Sequence, residues 1–311
     1  MTRVAVCLFG PTASGKTEIA IRLCKRFPFD VISVDSALVY RGMDIGTAKP
    51  DRATLERTPH RLIDIRDPEE PYSAGDFVRD ANKAMEEIFA AGRIPLLVGG
   101  TMMYFRALTG GIAELPSADE ALRAQIDAEA AASGWPAMHA QLSDFDPSAA
   151  ARIEPNDSQR IQRAIEVYRS SGKPLSEWQA MAGQAPVAAG VRFIKIGLFP
   201  NDRACLHERI ENRLNAMFNN GLVNEVKALS GRPGLTADAP SMRAVGYRQV
   251  WEYVSGDCSL DEAAYRALVA TRQLAKRQLT WLRSEQDMHC FDPLEADVLE
   301  PISVTLATEL C

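Results

Sequence analysis

The run Gly10-Pro11-Thr12-Ala13-Ser14-Gly15-Lys16-Thr17 has the spacing G-x-x-x-x-G-K-[ST] and stands between a short apolar stretch and a helical pattern. No other feature limits the fold as tightly, because strand, glycine-rich loop and helix in that order build a phosphate cradle, the P-loop. Glycines let the backbone wrap with its N–H groups facing inward, and the N-terminus of the following helix adds partial positive charge. Lys16 reaches the outer phosphate, and Thr17 offers its hydroxyl to Mg²⁺. Gly10, Thr12, Ala13, Ser14, Gly15, Lys16 and Thr17 are therefore candidate donor-binding residues, with Thr17 as candidate metal ligand. The bland alternative, a glycine-rich turn with an incidental lysine, leaves the flanking strand and helix unexplained.

The first half of the chain alternates short β-branched runs with helical stretches, the pattern of βαβ units around a parallel sheet. Candidate strands cover residues 4–9, 31–35, 61–65, 94–98 and 193–198, and helical patterns cover 17–27 and 73–91. The second of these opens on Ser73-Ala74-Gly75-Asp76, a helix-start pattern. The expectation is an α/β fold with a doubly wound, parallel, five-stranded sheet. Roughly a hundred residues separate the fourth and fifth strands, far more than a crossover needs. Residues 115–190 thus read as a helical insertion, in which one helix has Asn156 as N-cap, Gln159 at N3 and Gly172 as stop. Residues 1–114 and 191–311 form the core, the last part helical with breaks at 231–234 and 255–257.

The opening Met1-Thr2-Arg3 leads into an apolar run too short to span a membrane and without a cleavage-site pattern, so a cytoplasmic protein with no membrane partner is expected. A monomer is expected as well. The six cysteines, Cys7, Cys24, Cys205, Cys258, Cys290 and Cys311, form no C-x-x-C pair, which argues against disulfide and zinc frameworks. A net charge of −6 gives no global electrostatic case for nucleic acid, so any such case is local.

Asp35 ends the second strand at the sheet edge where open α/β folds hold their ligands. Its carboxylate suits orienting or deprotonating an acceptor, holding a water on the metal, or merely capping an Asp-Ser turn. Gly99-Gly100-Thr101 ends the fourth strand at the same edge, either placing a hydroxyl beside the phosphates or forming a flexible turn. To this point an ATP-spending small-molecule kinase and a diphosphate-releasing transferase fit equally well. Residues 266–283 contain Arg266, Arg272, Lys276, Arg277 and Arg283 and no acid. At 3.6 residues per turn Arg272, Lys276 and Arg283 align, with Leu268, Leu274, Leu279, Trp281 and Leu282 opposite. A single-sign face in an acidic protein points to a phosphate backbone rather than to simple solvation. Arg243 and Arg248 flank a tyrosine without an acid, and Gln159, Arg160, Gln162 and Arg163 crowd one helical turn, where Glu166 is an alternative partner. Arg209 and Arg213 either reach a donor's phosphates or are surface charges.

Together with the P-loop, the stretch D-S-A-L-V-Y-R-G-M-D-I-G-T-A-K-P from Asp35 to Pro50, H-R-L at His60, V-G-G-T at Val98, Asn156-Asp157, A-V-G-Y-R at Ala244 and T-R-Q-L-A-K-R-Q at Thr271 closely resemble the bacterial tRNA dimethylallyltransferases of the IPP transferase family. The match runs along nearly the whole chain. The resemblance implies transfer of a dimethylallyl group from dimethylallyl diphosphate to N6 of adenosine 37, in the anticodon stem-loop of tRNA, with Mg²⁺ as cofactor. It implies Asp35, Thr101 and Lys16 as catalytic residues, and Arg209 and Arg213 as partners of the diphosphate. It further implies tRNA contacts from Asp35, Ser36, Ala37 and Leu38, from Gln159, Arg160, Ile161, Gln162 and Arg163 of the insertion, and from Ser241, Met242, Arg243, Ala244, Val245 and Gly246. The last implied tRNA contact is the helical run Arg272, Gln273, Leu274, Ala275, Lys276, Arg277, Gln278 and Leu279.

Overall fold

The computed structural model describes residues 3–111, 113, 115–182 and 190–310. Strands β1 (Arg3–Phe9), β2 (Phe29–Val34), β3 (His60–Arg61), β4 (Ile94–Gly99), β5 (Val191–Leu198) and β6 (Met288–Phe291) form one parallel sheet in the order β3-β2-β4-β1-β5-β6. The sheet has six strands, one more than expected. Met288-His289-Cys290-Phe291 is only four residues long, contains no β-branched residue and lies half in solvent at the edge beside β5, so it lacks the β-branched signal of a central strand. The third strand is shorter than the expected 61–65, because Leu62 and Asp64 adopt positive φ of 63° and 55° and turn the chain out of the ladder.

Successive strand residues point to opposite faces, and here both faces are covered. Val6 and Leu8 of β1, Leu96 and Val98 of β4 and Ile194, Ile196 and Leu198 of β5 join one cluster with Ile19, Ala20 and Leu23 of the helix Lys16–Cys24. Ile302 and Leu306 of the helix Leu299–Leu310 complete that layer. The intervening Ala5, Cys7 and Phe9 are equally buried, and the helix Ala74–Ala90 packs on β2 and β4 with Phe77, Ala81, Met85 and Ile88 buried. Its start is the expected one: the Ser73 side chain accepts from the Asp76 N–H while Asp76 accepts from the Ser73 N–H.

The chain divides into two compact units, Met1–Phe105 with Gly190–Cys311, and Arg106–Ala189. In the second, the helices Glu120–Ser133, Trp135–Phe145, Pro147–Ala150, Ser158–Ser171 and Leu175–Ala182 enclose their own apolar clusters around Ile126, Met138, Ile161 and Ile165 and around Leu142, Ala164 and Val167. The helix Ser158–Ser171 is capped one residue later than expected: the Asp157 carboxylate, not Asn156, accepts from Arg160 N–H, and Gly172 ends the helix at φ 69°. Gln159 therefore stands one turn position earlier than N3. In the first unit the helices Arg203–Asn219, Leu222–Ser230, Tyr247–Val254 and Leu260–Leu282 follow β5, and the two breaks expected there fall directly after the second and third of them. Cys7, Cys24, Cys205, Cys258 and Cys290 are free thiols, and Cys311 lies outside the described residues.

Candidate active site

The carboxyl ends of β1, β2 and β4 deliver the P-loop, Asp35 and Gly100-Thr101 to one sheet edge, as parallel register requires. Gly15 precedes the first helix at φ 87°, a left-handed conformation, and a Cβ there would also come within 3.3 Å of Arg209 Nη2. Lys16 folds back over the loop and donates to the Pro11 carbonyl at 2.6 Å. Burial pushes the Lys16 amine down to about 7, the Arg213 guanidinium adds to the depression, and Asp35 opposes it. Burial likewise holds Arg213 below its ordinary range, again with Asp35 opposing. Both cations are short of counter-charge, the condition of a site prepared for an anion.

These groups line a cavity of about 530 Å³ whose walls carry Lys16, Arg213, Arg243 and Arg277 against a single carboxylate, Asp35. Thr12, Thr17, Thr101, Met102, Met103, Leu274 and Trp281 also line it. A larger depression of about 750 Å³ includes no P-loop residue in its lining; there Lys49 pairs with Asp44 and Asp64 and Arg52 with Glu56, and Arg213 borders it as well as the first cavity. Only the first cavity joins the P-loop to unpaired cations.

Asp35 forms the turn cap weighed for it and also lines the cavity. Its Oδ1 accepts from the N–H groups of Ala37 at 2.8 Å and Leu38 at 3.3 Å, an Asx turn that fixes the carboxylate at the cavity wall. Thr101 Oγ1 accepts from the Ser36 N–H at 3.1 Å, so the ends of β2 and β4 are tied across the site.

Two residues with structural hold on the site escape sequence reasoning or change meaning. Gln278, 9% exposed, accepts from the Thr12 N–H at 2.8 Å and donates to the Gly100 carbonyl at 2.9 Å, joining the P-loop tip to the end of β4. Glu225 accepts from the N–H groups of Asp44 (2.9 Å), Ile45 (2.8 Å) and Gly46 (3.1 Å) and from the Tyr247 hydroxyl. Gly46 lies so close to the Tyr247 ring that a Cβ would sit 2.5 Å from it. The D-I-G-T-A-K and A-V-G-Y-R motifs thus meet at one carboxylate that neither contains.

The IPP transferase family model matches residues 38–285. The tRNA dimethylallyltransferase of Thiobacillus denitrificans is 54% identical over 306 residues, which span 98% of this chain and 97% of that protein. The chain belongs to the IPP transferase family. Among solved structures, the tRNA isopentenylpyrophosphate transferase of Bacillus halodurans is similar with a TM-score of 0.72 at 37% identity, covering 100% of this chain and 97% of that one. A eukaryotic dimethylallyltransferase acting on tRNA shares the fold, with a TM-score of 0.81 at 23% identity over 99% of this chain and 79% of that one.

In this IPP transferase the residues singled out from sequence have distinct surroundings. Ser36, Ala37, Leu38, Arg243, Ala244, Val245, Gly246, Leu274 and Arg277 line the cavity. Ser241 and Met242 are buried, and the Ser241 hydroxyl donates to the Pro68 carbonyl at 2.6 Å. Along Leu260–Leu282, Ala275, Gln278 and Leu279 face the interior, while Gln273, Lys276 and Arg277 are exposed. Arg272, read as part of one open basic face with Lys276 and Arg283, pairs with Glu211 at 2.8 Å. Lys276, Arg277 and Arg283 have no ion-pair partner among the described residues. In the second unit Ile161 is fully buried, Gln162 donates to Asp127, and Arg163 pairs with the buried Glu166, which Arg123 also holds. Gln159 and Arg160 are exposed, Arg160 beside Asp157 at 3.2 Å.

Proposed function

We propose that this IPP transferase moves the dimethylallyl group of dimethylallyl diphosphate onto N6 of adenosine 37 in the anticodon stem-loop of tRNA and releases diphosphate. The observation that carries the reading is the cavity at the P-loop, where four cations face one carboxylate. A leaving diphosphate needs the cations, and an attacking amine needs the carboxylate.

As the C1–O bond breaks, its electron pair leaves with the diphosphate, and Lys16 and Arg213, with Arg209 against Gly15, neutralise the charge that builds there. The N6 lone pair forms the new C–N bond, and the N6 proton passes to the Asp35 carboxylate, held ready by its Asx turn. Thr101, tied to the β2–Asp35 turn, positions the reacting groups. The residues fit Mg²⁺ delivered with its substrate: Thr17 exposes a hard oxygen at the second residue of the helix, and no cluster of three or more His, Cys, Asp or Glu side chains exists among the described residues to cage a metal alone. Thr17 and the donor's own phosphate oxygens would hold the ion, which would supply further positive charge at the leaving group. The adenosine must turn out of the loop stack to reach the cavity. Lys276, Arg277 and Arg283 are suited to holding the tRNA backbone, and the exposed Gln159 and Arg160 make the insertion a second contact region.

Among the described residues no helix is long and apolar enough to cross a membrane. Incubation with labelled dimethylallyl diphosphate, Mg²⁺ and unmodified tRNA, followed by nucleoside analysis, is expected to yield prenylated adenosine. ATP hydrolysis matching product one for one would instead identify a kinase-type donor.

A further inference from the structure

Arg213 reaches the donor cavity, but what aims it is a loop. Its Nη2 donates to the Thr47 carbonyl at 3.2 Å, and among the described residues this is its one hydrogen bond. Thr47 belongs to the 44–48 loop, whose Gly46, Thr47 and Ala48 form part of the cavity wall. Three consecutive N–H groups of that loop, those of Asp44, Ile45 and Gly46, converge on the Glu225 carboxylate from the helix Leu222–Ser230. Tyr247 adds its hydroxyl to Glu225 and lays its ring against Gly46. A run of N–H groups pointing one way is an anion nest, and this one is filled by the protein's own carboxylate.

We infer that Glu225 is a positioning residue for prenyl transfer: it fixes the 44–48 loop so that the Thr47 carbonyl presents Arg213 to the donor's diphosphate. The inference rests on the donor assigned above. Its chemistry is specific to a carboxylate. One Glu225 oxygen accepts from Asp44 and Ile45, the other from Gly46 and Tyr247, so each oxygen faces two donors. An amide in either orientation sets its NH₂ against two donors, and Glu225→Gln therefore releases the loop at nearly constant volume.

The test is a double-mutant cycle of Glu225→Gln and Arg213→Ala, read as the dissociation constant for inorganic diphosphate in the presence of Mg²⁺. Each single variant is expected to bind diphosphate about ten- to a hundredfold more weakly, the scale of a charge-assisted hydrogen bond. The double variant is expected to bind no more weakly than Arg213→Ala alone, because the two changes remove one contact. Affinity for tRNA stays at the wild-type value, which a general loss of structure would not allow. Wild-type diphosphate affinity in Glu225→Gln, or losses that multiply in the double variant, overturns the inference. If Glu225→Gln does not fold, Tyr247→Phe removes one of the four donors and enters the same cycle: a severalfold loss that vanishes in the Arg213→Ala background supports the inference, and no loss or a multiplying loss overturns it. Turnover of dimethylallyl diphosphate by the wild-type protein is measured separately. A wrong donor thus appears there and leaves the diphosphate cycle readable.

Discussion

Lys16 gives the site a definite pH signature. Free, its amine titrates near 7 because burial and the neighbouring Arg213 disfavour its charge. A bound diphosphate supplies opposite charge and raises it again. Between those two values the complex holds one more proton than the free protein, so affinity for diphosphate is full below about 7 and falls as pH rises above it. Calorimetry at pH above that value, in buffers of different ionisation heat, should record proton uptake on binding; uptake that persists in Lys16→Ala belongs to the ligand instead. The same variant should lose most turnover, about 3 kcal/mol of transition-state stabilisation. For Asp35→Asn the expectation is different. Asparagine keeps an Oδ1 to accept from Ala37 and Leu38, so the turn survives while the chemical step slows roughly a hundredfold, as for loss of a positioned base. Single-turnover kinetics with pre-bound tRNA separates this from weaker binding. That the P-loop and Asp35 share one sheet edge was legible because the loop's spacing and the strand end are local in sequence. Glu225 and Gln278 act across 181 and 266 positions, and nothing in the spacing of a lone acid or amide announces such a partner.

Among the elements, the helix Leu260–Leu282 combines two duties that its periodicity does not separate. The 3.6-residue repeat places Leu279 and Leu282 inside and Lys276 outside, but Leu274 and Trp281 line the cavity together with Arg277, and the repeat cannot tell which cations are already neutralised. Arg272 is spent on Glu211 and Arg266 on Glu252 and Glu262, leaving Lys276, Arg277 and Arg283. Lys276→Ala should weaken every substrate tRNA to a similar extent, leave the chosen adenosine unchanged and reduce the salt slope by about one. Arg272→Ala should flatten it less, since that guanidinium must first leave Glu211. Equal slopes for wild type and Lys276→Ala in a filter-binding salt titration would make Lys276 a solvated bystander. Gln278, for which the resemblance implies a tRNA contact, lies on the inner side with its amide engaged by Thr12 and Gly100.

On the scale of the whole molecule, the sheet was readable where strands are buried on both faces, since continuous apolar runs mark them. It was unreadable at its edges, where β3 is cut short by positive φ and β6 has only four residues half in water. The cations gathered at the sheet's carboxyl edge also bear on how stable the empty protein is. Burial lowers the pKa of Lys16 and Arg213, so an anion that binds between them stabilises the folded protein. Saturation at a hundred times the dissociation constant adds about 2.7 kcal/mol, which for a chain of this size is several degrees in a thermal melt. Melting temperature thereby becomes a screen for inhibitors that needs neither tRNA nor a labelled donor. It also restricts where the protein can be made hardier: an acid placed beside Lys16 or Arg213 would raise the melting point and occupy the seat of the leaving group, so stabilising substitutions belong on the opposite edge of the sheet.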